Sequence, residues 1–396
     1  MKKICTLMLS YSCNLNCVYC FEKCKSSAAK KQMSLAMAKR IVRGELERVS
    51  EDARLDSLKL DLFGGEPFVR FELVKELCEW VWRQKVPFPV EILITTNGTL
   101  LTERRKDWIR KNKSRLSICM SVDGDAEMQM QNRGANESQL PLEFVHECFP
   151  NQPFKMTLSR ETVKTFAKGY LHLIRRGYVV DARPATEENW YGDSPRVYQR
   201  ELTKIAKFYL SHPDMTPCRH LLKLFNALDV KPVRFCGAGT HMSAYDYDGK
   251  EFPCHMFTRI VNGDFDFDLY QRHDFERPIA QEHEPCSSCK LLYLCPTCIG
   301  NNLQNRGDVT ARDLRACGMY LAETKVISRF QILYFTALSK RRPLMDEEKL
   351  KLQRAVPVFR LVQRLCFGNF GTGKEVRCDE GYEEDSGRSP GVGRWL

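Results

Sequence analysis

The stretch Lys3-Ile-Cys-Thr-Leu-Met-Leu-Ser10, followed at once by Ser12-Cys-Asn-Leu-Asn-Cys-Val-Tyr-Cys20, decides how this chain is read. Its first half is β-branched and apolar, the pattern of a buried strand. Its second half sets Cys13, Cys17 and Cys20 at C-x3-C-x2-C, on a loop at the carboxyl end of that strand. Open α/β sheets and (β/α) barrels place their chemistry at that edge. Three thiolates from one loop can hold three irons of a cubane [4Fe-4S] cluster. Such a cluster normally takes four cysteines, so the fourth iron would be left for another ligand. Cysteine pairs at this spacing also bind Zn2+, and the spacing by itself leaves both open.

Outward from this loop, short apolar strands alternate with amphipathic helices as far as about Arg183. Strands are expected at 3–10, 57–63, 90–95, 116–122, 154–159 and 178–183. Helices are expected at 35–50, with Ser34 as N-cap, and at 73–84, 103–111, 140–148 and 162–176. Six βα units predict a parallel sheet. The fold class is therefore α/β, a partial (β/α)6 TIM-like barrel spanning 1–190, open on one side to admit a large substrate. Residues 191–235 read as a helical bridge with a helix over 197–210. Residues 236–318 are cysteine-rich and hold a hairpin turning at Asp248-Gly249, a type I′ signal. Two helices are expected in a 319–370 extension, and disorder in the Gly-, Glu- and Arg-rich tail 371–396.

The chain has 396 residues, 18 cysteines and a net charge of +11 from 61 Lys and Arg against 50 Asp and Glu. No secretory signal and no run of ~18 apolar residues is visible, so a cytoplasmic location without membrane partners is expected. Clustered cysteines in that setting read as metal ligands rather than disulfides. The basic residues are dispersed, which suits a solvated helical surface. No aromatic RNA-binding strand is present, and nucleic acid is not an expected partner. Cys24, Cys78, Cys119 and Cys148 read as buried small hydrophobes; Cys366 and Cys378 have no neighbours at ligand spacing.

Further motifs sit at the later strand ends: Gly64-Gly65-Glu66-Pro67 after the second, Thr95-Thr96-Asn97-Gly98 after the third, and Ser121-Val-Asp-Gly124 with Arg133 after the fourth. A glycine pair lets backbone approach a ligand closely, and an Arg can hold a carboxylate bidentately. With the cysteine triad, these motifs resemble the radical S-adenosylmethionine (radical SAM) superfamily. The resemblance implies that Cys13, Cys17 and Cys20 hold a [4Fe-4S] cluster whose open iron is chelated by SAM. It further implies that Tyr19 packs near the adenine and that Gly64, Gly65 and Glu66 receive the methionine amino group. Ser121, Asp123 and Arg133 would contact the rest of SAM, with Thr95 to Gly98 shaping the loop.

The later cysteines follow C-x12-G-x4-C at Cys236, Gly249 and Cys254, then C-x2-C-x5-C-x2-C at Cys286, Cys289, Cys295 and Cys298, closed by Cys317. This resembles the SPASM domain, which carries two auxiliary [4Fe-4S] clusters. The resemblance assigns Cys286, Cys289, Cys295 and Cys317 to an outer cluster and Cys236, Cys254 and Cys298 to an inner one. Cys218 is a candidate fourth inner ligand. The family has three residues, not two, before the position of Cys298. Structural zinc tolerates the same spacings.

The resemblance implies reductive SAM cleavage to a 5′-deoxyadenosyl radical and hydrogen abstraction from a peptide or protein. A reductant such as flavodoxin or ferredoxin, and a separate leader-peptide-binding protein, are the implied partners. Two alternatives remain: a SPASM enzyme for a small molecule or sugar, and a non-catalytic iron-sulfur sensor or electron carrier. In the sulfatase-maturing branch an Asp follows the second SPASM cysteine. Here His255 follows Cys254, so sulfatase maturation is not expected, and His255 is a candidate catalytic base or a structural residue.

Overall fold

The computed structural model describes residues 1–22, 31–186, 188–229, 236–263, 274–275 and 283–365. Cys24, Cys366, Cys378 and the tail expected to be disordered lie outside the described residues. The chain divides into two compact units. The first comprises Met1–Glu188, Val233–Glu282 and Thr297–Asp313; the second comprises Asn189–Pro232, His283–Pro296 and Leu314–Leu396.

In the first unit, strands β1 (Lys2–Met8), β2 (Ser57–Phe63), β3 (Val90–Thr96) and β4 (Ser117–Met120) pair in sequence order, all parallel. Helices α1 (Leu35–Glu51), α2 (Phe71–Val81) and α3 (Glu103–Asn112) supply the crossovers. Leu58, Leu60 and Leu62 are almost fully buried, while the alternating Lys59, Asp61 and Phe63 are half-buried. That period of two gives β2 one dry face and one polar face. Ser34 caps α1 as expected, its hydroxyl accepting from Met37 N at 3.1 Å.

The continuous six-stranded run expected from the sequence is broken after β4. Strands β5 (Phe154–Leu158) and β6 (Val180–Pro184) form their own parallel pair. One parallel bridge, Ser121 with Lys155, joins them to β4, with Val122 N donating to Lys155 O at 2.8 Å. Asp123 and Gly124 then turn the chain into helix α4 (Ala126–Arg133). Helices α5 (Leu142–Cys148) and α6 (Phe166–Arg175) follow.

The cysteine-rich region adds a strand to this sheet. Strand β7 (Met242–Tyr245) lies parallel to β1, with β8 (Glu251–Phe252) antiparallel at the edge, giving the order β4-β3-β2-β1-β7-β8. The hairpin exists, but its turn is not type I′. That turn needs positive φ at both central residues, and only Gly249 has it, at +86°. Gly249 N instead donates to Asp246 O at 2.8 Å, closing a wider turn. The apolar face of this region, with Phe252, Met256, Phe257, Ile299 and Leu303, packs on Met8 and Tyr11.

In the second unit, the two helices expected in the extension are Cys317–Ser339 and Asp346–Val362. The first of them packs on the second and on helix α7 (Ser194–Ser211). No helix among the described residues is long and apolar enough to cross a membrane.

Candidate functional site

The cysteine loop leaves β1 and is braced by three neighbouring strand ends. Gly65 N donates to Ser10 O and Glu66 N to Ser12 O, both at 2.9 Å. Asn14 accepts from Asn97 Nδ2 at 3.0 Å and donates to Thr99 Oγ1 at 2.7 Å. Val18 N donates to Asn132 O at 2.9 Å. The loop that offers the three thiols is thus held from β2, β3 and α4 together. All fifteen cysteines among the described residues are thiols rather than disulfides.

The glycine pair answers to this loop. A Cβ on Gly65 would stand 2.3 Å from Ser12 O and 3.0 Å from Cys13 Cβ. On Gly64, where φ is +120°, it would meet Ser10 O at 2.5 Å. Both contacts are with backbone, which cannot swing away. Gly65→Ala is expected to cost about 1–3 kcal/mol, the range for overpacking, and to lower the iron bound at the N-terminal loop. Thermal unfolding and iron analysis of the variant check this.

Glu66 is 1% exposed. Its carboxylate accepts from Phe68 N at 3.0 Å, Thr96 Oγ1 at 2.7 Å and Asn97 N at 2.8 Å. Burial raises its pKa, and the three donors oppose the rise. Thr95 to Gly98 therefore shapes the site by holding Glu66 and Asn14.

Asp123 is fully buried and gathers Tyr19, Asn132 and Arg133. Arg133 donates Nε to Asp123 Oδ2 at 2.9 Å and Nη2 to Oδ1 at 3.2 Å, a bidentate pair. Thr157 N donates to Oδ1 at 2.9 Å, and Tyr19 OH also donates to Asp123. The guanidinium lies 5.5 Å from the Tyr19 ring centroid, and its Nη1 is 4.0 Å from Cys17 Sγ. Desolvation works against the Arg133 charge, but Asp123, Tyr19 and Cys17 together outweigh it and the pKa rises. Burial, then the Asp123 charge, raise that of Tyr19. A fixed cation thus stands beside the second cysteine. Ser121 is placed by its backbone, N donating to Thr96 O at 2.9 Å.

The sequence reading missed α4, Asn132 and Asn14. The buried face of α4 is Met128, Gln129, Asn132 and Arg133, too polar to show an apolar stripe. Its ends were nevertheless marked: Asp125 caps the first turn and Gly134 closes the last at φ +65°.

Cys236, Cys254 and Cys298 all fall in the first unit. Burial raises the pKa of Cys254, and the charges of Cys298 and Cys236 raise it further, so the three are electrostatic neighbours. Cys218, Cys286, Cys289, Cys295 and Cys317 all fall in the second unit. Among the described residues no three His, Cys, Asp or Glu side chains form a ready-made metal cage. The fit to iron-sulfur clusters is therefore one of donor chemistry: thiols grouped on single loops, with Arg133 beside one of them. His255 packs its ring 5.4 Å from Phe63 and 5.7 Å from Phe21. Burial, then the Lys155 charge, push its pKa down to about 4, so it is uncharged near neutral pH.

A family profile described as a 4Fe-4S single cluster domain matches residues 3–139. A GTP 3′,8-cyclase of Clostridium perfringens strain 13 is 33% identical over 121 residues, covering 29% of this chain and 33% of the relative. The chain thus spans about a third of that relative's length. A cysteine-type anaerobic sulfatase-maturating enzyme, also of Clostridium perfringens, is 22% identical over 318 residues, covering 72% of this chain and 85% of the relative. Among solved structures, native anSMEcpe with bound AdoMet and Cp18Cys peptide superposes with a TM-score of 0.61 at 17% identity, covering 85% of this chain and 99% of that one. At that identity the likeness is one of fold. The chain is thus similar in sequence to radical SAM enzymes and has the fold of an anaerobic sulfatase-maturating enzyme.

Proposed function

We propose that this protein is a radical SAM enzyme that abstracts hydrogen from a peptide or protein substrate. The observation that carries the reading is the loop of Cys13, Cys17 and Cys20, fixed at the carboxyl edge of a parallel sheet beside the buried Arg133–Asp123 pair. These three thiols would hold the [4Fe-4S] cluster. When bound, that cluster supplies the electron that cleaves SAM to a 5′-deoxyadenosyl radical. Arg133 and Glu66 are the charged groups placed to orient SAM, and the bracing by Asn14, Asn97 and Asn132 keeps the loop in register. Cys236, Cys254 and Cys298 are proposed for an inner auxiliary cluster, and Cys286, Cys289, Cys295 and Cys317 for an outer one. A flavodoxin or ferredoxin would supply electrons in a reducing cytoplasm.

The peptide class is supported by the sulfatase-maturating relative and by the Cp18Cys peptide bound to anSMEcpe, whose fold this chain shares. The cyclase similarity favours a second reading, a small-molecule substrate, over the N-terminal segment alone. Anaerobically reconstituted protein with SAM and dithionite is expected to form 5′-deoxyadenosine. Intact clusters without SAM binding, measured by calorimetry, would instead mark a sensor or electron carrier.

Sulfatase maturation is not the proposed reaction, because His255 occupies the place where the resembled branch carries Asp. An uncharged imidazole with a pKa of about 4 is a weak base. A sulfatase-motif Cys or Ser peptide is expected to stay unmodified by mass spectrometry; its conversion to formylglycine overturns the exclusion. His255→Phe, which keeps a ring against Phe21 and Phe63, is expected to retain 5′-deoxyadenosine formation.

A further inference from the structure

Tyr11 is fully buried, and a buried tyrosine needs a partner for its hydroxyl. It finds one in Asp246, the residue after strand β7. The hydroxyl lies 2.7 Å from both carboxylate oxygens. Asp246 is itself fully buried. Tyr247 N donates to its Oδ1 at 2.9 Å, and Arg259 Nε donates to its Oδ2 at 2.9 Å. The rings of Tyr11 and Tyr247 meet edge to face at 5.2 Å, and the Arg259 guanidinium stands 5.2 Å from the Tyr247 ring centroid. The guanidinium also pairs with Asp248 at 2.6 Å.

The side chains gathered on Asp246 come from the two cysteine loops of the first unit. Tyr11 lies just before Ser12 and Cys13. Arg259 opens the short helix Arg259–Asn262, a single tight turn beyond Cys254. In that turn Phe257 N donates to Cys254 O at 3.0 Å and Thr258 Oγ1 to His255 O at 2.6 Å. Tyr11 and Cys254 belong to the same buried cluster. Hydrocarbon in place of a buried ion pair is often as stable. What a carboxylate with fixed donors adds is direction, because hydrogen bonds weaken steeply when bent and packing contacts do not.

We propose that Asp246 is a positioning residue shared by the two loops, holding the Cys13 loop through Tyr11 and the Cys254 loop through Arg259. The proposal rests on the cluster reading above. It gives Asp246 no contact with SAM or substrate, and a carboxylate sealed from solvent suits that role. A change made on one loop is then felt at the other.

Arg259→Met, on the Cys254 side, is expected to weaken SAM binding at the Cys13 side by about tenfold, the size of one hydrogen bond to a charged group. Calorimetry on anaerobically reconstituted protein with its full iron content reads this. Arg259→Lys keeps the charge without the fork; it is expected to show a smaller loss and serves where Arg259→Met does not fold. Tyr11→Phe keeps the ring and removes only the hydroxyl. In a Cys13→Ala/Cys17→Ala/Cys20→Ala background, where only auxiliary clusters remain, it is expected to shift the midpoint potential of one of them, followed by EPR. Tyr245→Phe is the control. It stands beside Asp246 on β7, but its hydroxyl donates to Glu45 rather than to either cysteine loop, and both readouts should keep their wild-type values. A role in stability alone would lower the unfolding midpoint of every variant and move neither readout. Wild type that binds no SAM overturns the radical SAM reading and the proposal with it. Wild type that binds SAM while either cross-effect is absent, or while Tyr245→Phe shows the same shifts, overturns the proposal alone.

Discussion

A Cys13→Ala/Cys17→Ala/Cys20→Ala variant, reconstituted anaerobically, is expected to form no 5′-deoxyadenosine. It should bind about eight irons per chain where wild type binds about twelve, four for each of three cubanes. The reason is the separation of the cysteine fields. The triad stands on one loop after β1, while the remaining candidate ligands lie in the 236–317 region and in Cys218. Emptying the first field leaves the others their thiols. Iron and sulfide analysis with visible absorption checks the count. Equal iron in variant and wild type would mean that the triad is not a cluster loop. Stoichiometric zinc without charge-transfer absorption in anaerobically purified wild type would remove the cluster reading altogether.

How much of this was legible in the sequence follows from how local each feature is. The thiol spacing, the strand before it and the Ser34 cap are set within a few residues, and a pattern of one or two turns reveals them. The purpose of Gly64 and Gly65 was only half legible. A glycine pair announces close approach, and the backbone it meets in the fold is that of Ser10 and Ser12. That partner lies more than fifty residues away. The destination of the 242–252 hairpin was hidden for the same reason: its pairing with β1 is a long-range contact that no local period reports. Helix α4 was hidden because burial there is polar, Asn132 and Gln129 being wholly buried and hydrogen-bonded instead of packed as hydrocarbon. The half-buried charges Asp61 and Lys155 look, in sequence, like the solvent side of ordinary strands.

Asp123→Ala is expected to be the most damaging single change outside the cysteines, costing about 3–5 kcal/mol, as breaking a buried ion pair from one side does. Native stability is only about 5–15 kcal/mol in total, so the variant should unfold at markedly lower denaturant. The cost comes from what is left behind. Arg133, 7% exposed, loses both of its carboxylate hydrogen bonds, and Tyr19, Asn132 and Thr157 N each lose an acceptor. Removing the stranded charge should recover part of the loss. Asp123→Ala/Arg133→Met is therefore expected to be more stable than Asp123→Ala alone, a coupling that urea unfolding of the full set of variants measures. The double variant should nevertheless remain unable to cleave SAM efficiently, because Arg133 is the cation fixed beside Cys17. Recovery of stability without recovery of 5′-deoxyadenosine separates the two roles of the pair. If the double variant is no more stable than Asp123→Ala, the buried charge of Arg133 is not what makes Asp123 necessary, and the hydrogen bonds from Tyr19, Asn132 and Thr157 carry the effect instead.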